Sequence, residues 1–160
     1  MAKYWIANNP NSEVTSAEAQ KIKDLAKASV TVDELNSLSA DPTQCTITNA
    51  STASDTAAVE FAVQFKKASG TAMAEVISFD YYLSTDAAGA TVATAAESIA
   101  DGGAGALLIE YVAEVSGKAI TNAAGLAEID VADSTVALYL NVVMPDGSIT
   151  TSGVCTWAAP

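Results

Sequence analysis

The feature that most constrains the fold of this chain is a pair of apolar-rich runs, residues 135–143 and 148–157, joined by a Met-Pro-Asp-Gly tetrapeptide. Proline presets φ for a turn, aspartate can hydrogen-bond its own backbone, and glycine adopts a positive φ without strain, so the tetrapeptide predicts a β-hairpin. Every second residue of the first run is aliphatic, which predicts a strand with one buried face. These residues are Val136, Leu138, Leu140 and Val142. Because an isolated hairpin is marginal in water, the rest of the chain has to supply strands that cover this face.

Apolar and polar residues alternate in several other segments between residues 43 and 158. The inward-facing sets predicted from this period are Val59, Phe61, Val63 and Phe65; Ile77, Phe79, Tyr81 and Leu83; Leu107, Ile109, Tyr111 and Ala113; and Ala127, Ile129 and Val131. A first strand at 44–49, a loop at 50–56 and a short strand at 91–94 complete the pattern. Roughly seven short strands separated by turn signals indicate a mainly β protein, with an antiparallel β-sandwich domain over residues 43–160.

Residues 1–42 have a different character and predict an arm followed by two short helices. Two capping boxes, Thr-Ser-Ala-Glu at 15–18 and Thr-Val-Asp-Glu at 31–34, mark the helix starts. The first helix is expected over 16–28 with Ile22 and Leu25 on one side, and the second carries a stripe of Val32, Leu35 and Leu38. The second helix falls below the roughly 12 residues that persist alone in water, so it must pack on the sandwich or on copies of itself.

An apolar cluster of Tyr4, Trp5 and Ile6 lies near the start of the arm, and a polar Asn-Asn-Pro-Asn spacer follows at 8–11. Terminal segments fray unless they dock on something. The cluster is therefore expected either to lie against its own domain or to attach to a neighbouring subunit, and the sequence leaves both alternatives open.

The charge of the chain excludes several partners. Nineteen acidic residues against seven lysines, with no histidine, give a net charge of −12. A protein that binds phosphates needs clustered cationic side chains, so nucleic acid and anionic membrane surfaces are both unfavourable partners. No apolar run approaches the roughly 20 residues that span a bilayer, and the first residues lack the apolar region of a signal peptide. We expect the chain to be made and kept in a cytoplasm.

The sequence offers no catalytic group and predicts that the protein is not an enzyme. Without histidine the common serine and cysteine triads are excluded. The glycine-rich segment 101–105 lacks the Lys-Ser/Thr that would hold a phosphate. The aspartates at the strand ends lack the spacing of an EF-hand loop. We therefore expect them to keep the protein soluble and not to bind Ca²⁺. Glycoside hydrolysis by paired carboxylates would need a cleft with aromatic platforms. No cofactor and no metal are expected.

The two cysteines, Cys45 and Cys155, lie near opposite ends of the predicted strand series. The first and last strands of a sandwich can be neighbours, so a disulfide is geometrically conceivable. Small buried thiols kept reduced are the favoured interpretation for a cytoplasmic product, and zinc is unfavourable without histidine.

One segment carries a family resemblance. The run at 29–38, Ser-Val-Thr-Val-Asp-Glu-Leu-Asn-Ser-Leu, resembles a T-x-x-E-L-N-x-L segment that recurs in N-terminal parts of tailed-bacteriophage structural proteins, including fibres and head decoration proteins. The segments 61–65, 79–89 and 144–147 resemble the Ig-like β-sandwich domain of many phage virion proteins. The two parts together cover most of the chain.

The resemblance implies a virion structural protein, most simply a capsid decoration or cement protein that binds the major capsid protein on the outer surface of the head. It would assemble in the host cytoplasm, as a homotrimer. The residues expected to form the assembly interface are Tyr4, Trp5, Ile6, Ile22, Leu25, Val32, Leu35 and Leu38. The alternative is a head or tail fibre component whose sandwich recognises a host glycan or surface protein, through outward-facing Tyr82 and the Asp/Asn-rich loops.

Overall fold

The structure is a computed structural model of the chain, and it describes residues 42–50, 52–53, 57–134 and 136–157. The arm, both predicted helices and the boundary predicted at residue 42 fall on or before the start of this part. Eight residues predicted to form the assembly interface lie outside the described residues: Tyr4, Trp5, Ile6, Ile22, Leu25, Val32, Leu35 and Leu38.

The described part of the chain is built from eleven β-strands and contains no helix. Their bounds are β1 Gln44–Thr48, β2 Thr52–Ala53, β3 Val59–Lys66, β4 Ser78–Ser84, β5 Ser98–Asp101, β6 Ala106–Val112, β7 Ser116–Ile120, β8 Leu126–Ala132, β9 Tyr139–Val143, β10 Ile149–Thr151 and β11 Thr156–Trp157. An antiparallel four-stranded sheet has the order β1-β3-β8-β5, and an antiparallel five-stranded sheet has the order β10-β9-β4-β7-β6. Strands β2 and β11 form a short parallel pair.

The inner faces of the two sheets share one hydrophobic core, so the mainly β, antiparallel sandwich predicted from the sequence is confirmed. The four-stranded sheet contributes Val59, Phe61, Val63, Phe65, Ala127, Ile129 and Val131, and the five-stranded sheet contributes Phe79, Tyr81, Leu83, Leu140 and Val142. The rings of Phe65 and Phe79 meet between the sheets, with centroids 5.0 Å apart and planes tilted by 55°. Full burial of each large side chain contributes about 1.5–3 kcal/mol, which is what holds the two layers together.

The predicted hairpin is present as β9 and β10. Met144 N–H donates to Ser148 O at 2.8 Å, Gly147 has φ 84°, and Asp146 Oδ1 accepts the Ser148 N–H at 2.9 Å. The first strand begins at Tyr139, and Val136 is 42% exposed, so the predicted aliphatic face is buried only from Leu138 onward. The second run divides into β10 and β11 because its last residues pair with β2 in a separate sheet.

The inward face predicted for β6 is wrong after Leu107. The pairing of β6 with β7 shifts register between Leu107 and Ile109 and again between Glu110 and Val112. Each irregularity adds a residue to one strand and breaks the alternation of side chains. Ile109 and Tyr111, expected in the core, are 55% and 53% exposed.

Smaller differences concern the loops and the cysteines. The strand predicted at 91–94 is a single bridge between Val92 and Ser84, and the two-residue β2 lies inside the predicted loop at 50–56. Cys45 and Cys155 are both free thiols, so the disulfide alternative is not realised. Burial raises the pKa of the Cys45 thiol to about 12, against an opposing effect of the Lys66 charge. A thiol with so high a pKa stays protonated and is a poor nucleophile.

Gly117 is a position where an added side chain would meet both the neighbouring strand and the core. It lies opposite Tyr81, and a Cβ added there would meet the Ile109 backbone carbonyl first and stand 2.8 Å from Tyr81 Oη. Gly117→Ala is expected to lower the free energy of unfolding by about 1–3 kcal/mol, because neither the paired backbone nor the packed ring can move aside. Chemical denaturation of the full chain measures this.

Gly153→Ala is the matched control, because its added Cβ would be 3.5 Å from the nearest side-chain atom, Asn49 Oδ1. Tyr81 Oη is buried and has no hydrogen-bond partner among the described residues. Tyr81→Phe in the Gly117→Ala background should therefore recover part of the lost stability. Equal denaturation midpoints for the two alanine variants would show that Gly117 is not needed for packing.

Candidate functional site

The two outer faces of the sandwich differ in chemistry, and the outer face of the four-stranded sheet is acidic. Glu60 pairs with Asp130 across β3 and β8, and Ala62 pairs with Glu128. Partial desolvation, and then the negative charges of Glu128 and Asp130, raise the pKa of Glu60 above its ordinary value. Like charges on adjacent strands repel, so this face favours contact with water.

The outer face of the five-stranded sheet carries several half-exposed apolar side chains. One cross-strand row runs Ile149, Val143, Asp80, Lys118 and Ile109, from β10 to β6. We call the apolar residues on this side the apolar face: Ile109, Tyr111, Val112, Ile120, Val143 and Ile149. Four of them, Ile109, Tyr111, Val112 and Ile149, are between 51% and 55% exposed. The largest apolar patch on a typical monomer covers about 300–600 Å² and is often functional.

A closed polar cluster lies in the middle of the apolar face. Lys118 Nζ is 2.7 Å from Asp80 Oδ1, and Tyr111 Oη donates to the same oxygen at 2.8 Å. The Lys118 contact, followed by the Tyr111 hydrogen bond, holds the pKa of Asp80 below its usual value. Hydrogen bonding to Asp80 raises the pKa of Lys118. The two charges cancel, so the centre of the face is electrically neutral.

The two irregularities in β6 place Tyr111 on this face. A regular strand would put Ile109 and Tyr111 on the same side as Leu107, whose partner Ala119 is in the core. The shifted register instead places Ile109 opposite Lys118 and lets the Tyr111 ring reach Asp80. Bulges commonly redirect side chains in this way at functional edges.

The loop after β4 covers the other end of the same outer face. Tyr82 Oη donates to Gly89 O at 2.9 Å, and Asn141 Nδ2 donates to Ser84 Oγ at 2.8 Å. Asn141 and Ser84 are fully buried beneath the loop. Tyr82 does face outward as predicted, but this hydrogen bond and partial burial leave it a poor platform for a ligand.

Asp86 organises that loop from a solvent-exposed position. Its carboxylate accepts N–H groups from Thr91 at 2.5 Å, Ala88 at 2.9 Å and Ala90 at 3.2 Å. The Thr91 hydrogen bond is the largest of the effects that hold the pKa of Asp86 below its usual value. The loop is therefore built around an ionised aspartate, and its shape depends on that charge.

The apolar face could not be derived from period-2 reasoning, although the sequence held a signal for it. Large apolar residues occupy both the odd and the even positions of β6, at 107, 108, 109, 111 and 112. A strand with one face in water normally has apolar residues only at alternate positions. Such a run is consistent with a strand that meets apolar partners on both sides. Ile120, Val143 and Ile149 lie on other strands, and only the pairing register brings them beside β6.

Candidate metal sites and surface depressions are the remaining features of the described part of the chain. In it, no group of three or more Cys, Asp or Glu side chains is arranged to hold a metal ion. An open depression of about 500 Å³ beside β1 and β3 has a described lining of mostly Ala and Thr, with Glu60 as its ionisable group. Among these residues no helix is long and apolar enough to cross a lipid bilayer.

Comparison with known proteins does not assign a family. No protein-family model and no curated protein sequence matches the chain at a significant level. A cohesin module from a Clostridium perfringens family 33 glycoside hydrolase is a similar solved structure, with 13% identity and a TM-score of 0.41. The match covers 75% of this chain and 99% of that module. A likeness at this level carries no argument, so the description of the fold rests on the strands and their register.

The polar cluster at the centre of the face predicts a specific pH dependence. The folded-state pKa of Asp80 is depressed, so its contacts contribute stability above about pH 3.8 and that contribution is lost as the pH falls through the folded-state pKa. Lys118→Gln should be slightly less stable than the parent at pH 7, and the difference should shrink as the pH drops below about 4. Chemical denaturation across this pH range measures the difference.

Lys66→Gln is the control, because it removes the same charge from β3 of the other sheet. An NMR titration of the Asp80 carboxyl carbon gives a second readout, in which Lys118→Gln should raise the pKa of Asp80 towards its ordinary value. An unchanged Asp80 titration in that variant would show that the ion pair is not formed in solution.

Proposed function

We propose that this chain is a non-catalytic assembly protein whose sandwich docks on a partner protein through the apolar face. The single observation that supports this most is the concentration of half-exposed Ile, Val and Tyr side chains on one outer face of a strongly acidic domain. Surface charge keeps a protein soluble, so an uncharged apolar area of this kind has a cost unless a partner covers it.

The energetics of the face suit a protein partner. Transferring the exposed half of an Ile or Val side chain out of water contributes about 1 kcal/mol. Several such residues together can support specific binding once they pack against complementary groups. The neutral Asp80–Lys118 pair and the Tyr111 hydroxyl already satisfy one another, so covering them leaves no unpaired charge.

The phage resemblance supports a more particular version of this proposal. In that version the chain is a capsid decoration or cement protein, with an Ig-like sandwich, that binds the major capsid protein on the outside of the head as a homotrimer. The N-terminal residues named above would form one contact and the apolar face a second. Two weak sites on one molecule bind a symmetric lattice far more tightly than either alone.

Recognition of a host glycan is the competing function, and Tyr111 is the observation that favours it. Its exposed ring lies beside Asp80 and Lys118, a combination of aromatic surface and hydrogen-bonding groups that sugars use. The neighbouring Ile109, Val112 and Ile149 side chains offer no such groups to sugar hydroxyls, so the face as a whole favours a protein partner. Binding of the folded full-length chain on a glycan array would reverse this preference.

Charges introduced on the apolar face should abolish docking. We expect Ile109→Asp/Val112→Asp to lower the affinity of the full-length protein for the phage head at least about 100-fold. Apolar burial is lost, and two introduced carboxylates would have to be desolvated in the contact. Co-sedimentation of the purified protein with particles that lack it measures this.

The control is Gln44→Asp/Thr46→Asp, which adds the same two charges to exposed positions of β1 on the other sheet. Thermal unfolding of both variants checks that they fold. Equal affinity of both variants, or loss in the β1 variant alone, would contradict docking through the apolar face.

A further inference from the structure

The apolar face has acidic residues beyond both ends of its strands. Glu75 precedes β4 and Asp86 follows it, so the two lie beyond opposite ends of the central strand of the sheet. Asp146 lies in the turn between β9 and β10, beside Val143 and Ile149. Glu110 of β6 is not part of this border, because it pairs with Gly117, opposite Tyr81, on the core side of the sheet. We call the other three residues the acidic rim: Glu75, Asp86 and Asp146.

Two members of the acidic rim are held firmly in the ionised form. Hydrogen bonds from Thr91, Ala90 and Ala88 keep the pKa of Asp86 low, and those from the Ser148 hydroxyl and N–H do the same for Asp146. The Ser148 Oγ to Asp146 Oδ1 distance is 2.6 Å. These carboxylates therefore stay negative at neutral pH and into mildly acidic solution.

The described part of the chain has few cations that could offset this border. Its lysines are Lys66 and Lys67, at the end of β3 in the other sheet, and Lys118, which contacts Asp80. Within the five strands of the sheet the charged residues are Asp80, Glu110 and Lys118. The surface thus has a neutral centre, made of the Asp80–Lys118 pair with apolar side chains around it, and carboxylates beyond both ends.

We infer that the partner that docks on the apolar face presents an apolar segment flanked by lysine or arginine side chains. This rests on the proposed function and specifies the chemistry of its partner. Cationic side chains at the edge of the contact would meet the acidic rim, while apolar side chains would cover Ile109, Val112 and Ile149. Complementary charge around an apolar centre is what gives an interface its specificity and its association rate.

The same border argues against a second copy of this chain as the occupant. A two-fold contact would bring identical patches together and place one acidic rim against another. Each chain also carries a net charge of −12, so two copies repel each other in whatever orientation their apolar faces meet. A homotrimer, if it forms, is expected to use surfaces other than the apolar face.

A matched pair of synthetic peptides tests the inference on the full-length protein. Both are two-heptad amphipathic helices with leucines along one side, and the remaining positions are lysine in one peptide and glutamate in the other. Fluorescence anisotropy of the labelled peptides gives their affinities. We expect the lysine peptide to bind at least about tenfold more tightly at low salt, and its affinity to fall as NaCl is raised, because exposed charges are screened.

Two variants of equal net charge locate the effect. Glu75→Gln/Asp146→Asn removes two charges from the acidic rim, and Glu60→Gln/Glu128→Gln removes two from the other sheet. We expect the first to weaken lysine-peptide binding about three- to tenfold and the second to leave it nearly unchanged. Ile109→Asp/Val112→Asp should abolish binding that depends on the leucine side, despite its added negative charge.

The remaining outcomes separate this inference from the proposed function. Equal binding of the two peptides, lost in Ile109→Asp/Val112→Asp, would overturn the charge preference and leave apolar docking in place. Equal weakening by both charge-removing variants, or no binding of either peptide, would also overturn the inference. Co-sedimentation with the particle tests the proposed function independently. A solution mass that falls in Ile109→Asp/Val112→Asp would show that a second copy covers the face and would overturn the inference as well.

Discussion

The packing of two aliphatic sheet faces against each other is the interaction on which the rest of this structure depends. Each sheet presents one apolar side, and neither would be stable in water without the other. The Phe65–Phe79 contact and the fully buried Leu83, Ile129 and Leu140 lie between the layers. The outward-facing residues can then vary in chemistry without loss of the fold, since they lie on the opposite side of each strand from the core.

The edge strand β6 shows how a local departure from regularity creates a surface. A strictly alternating strand would bury every second apolar residue and leave the others facing water. Two shifts of register in β6 instead place Ile109, Tyr111 and Val112 together on the outer side, in line with Lys118 and Asp80. Edge strands with exposed apolar residues are a hazard for aggregation, and bulges reduce unwanted pairing while keeping side chains available for a chosen partner.

Charge distinguishes the two outer faces of the sandwich. Partial desolvation, and then the two carboxylates of β8, raise the pKa of Glu60, and a protein that covered this side would have to neutralise these charges. On the other side the Asp80–Lys118 pair cancels, and the remaining carboxylates lie at the border. A protein with a net charge of −12 can therefore keep one outer face nearly neutral, while the charges elsewhere keep it in solution.

The sequence by itself determined the mainly β class, the hairpin at 144–147 and the inward sets of β3, β4 and β8, because period-2 alternation and turn chemistry act over a few neighbouring residues. It could not determine the apolar face. That surface joins residues of β6, β7, β9 and β10, which the register of pairing brings together, and its most exposed members depend on two irregularities that alternation cannot reveal. Tertiary structure decided which of the many apolar residues lie on the outer face, because pairing between distant strands sets the side on which each one lies.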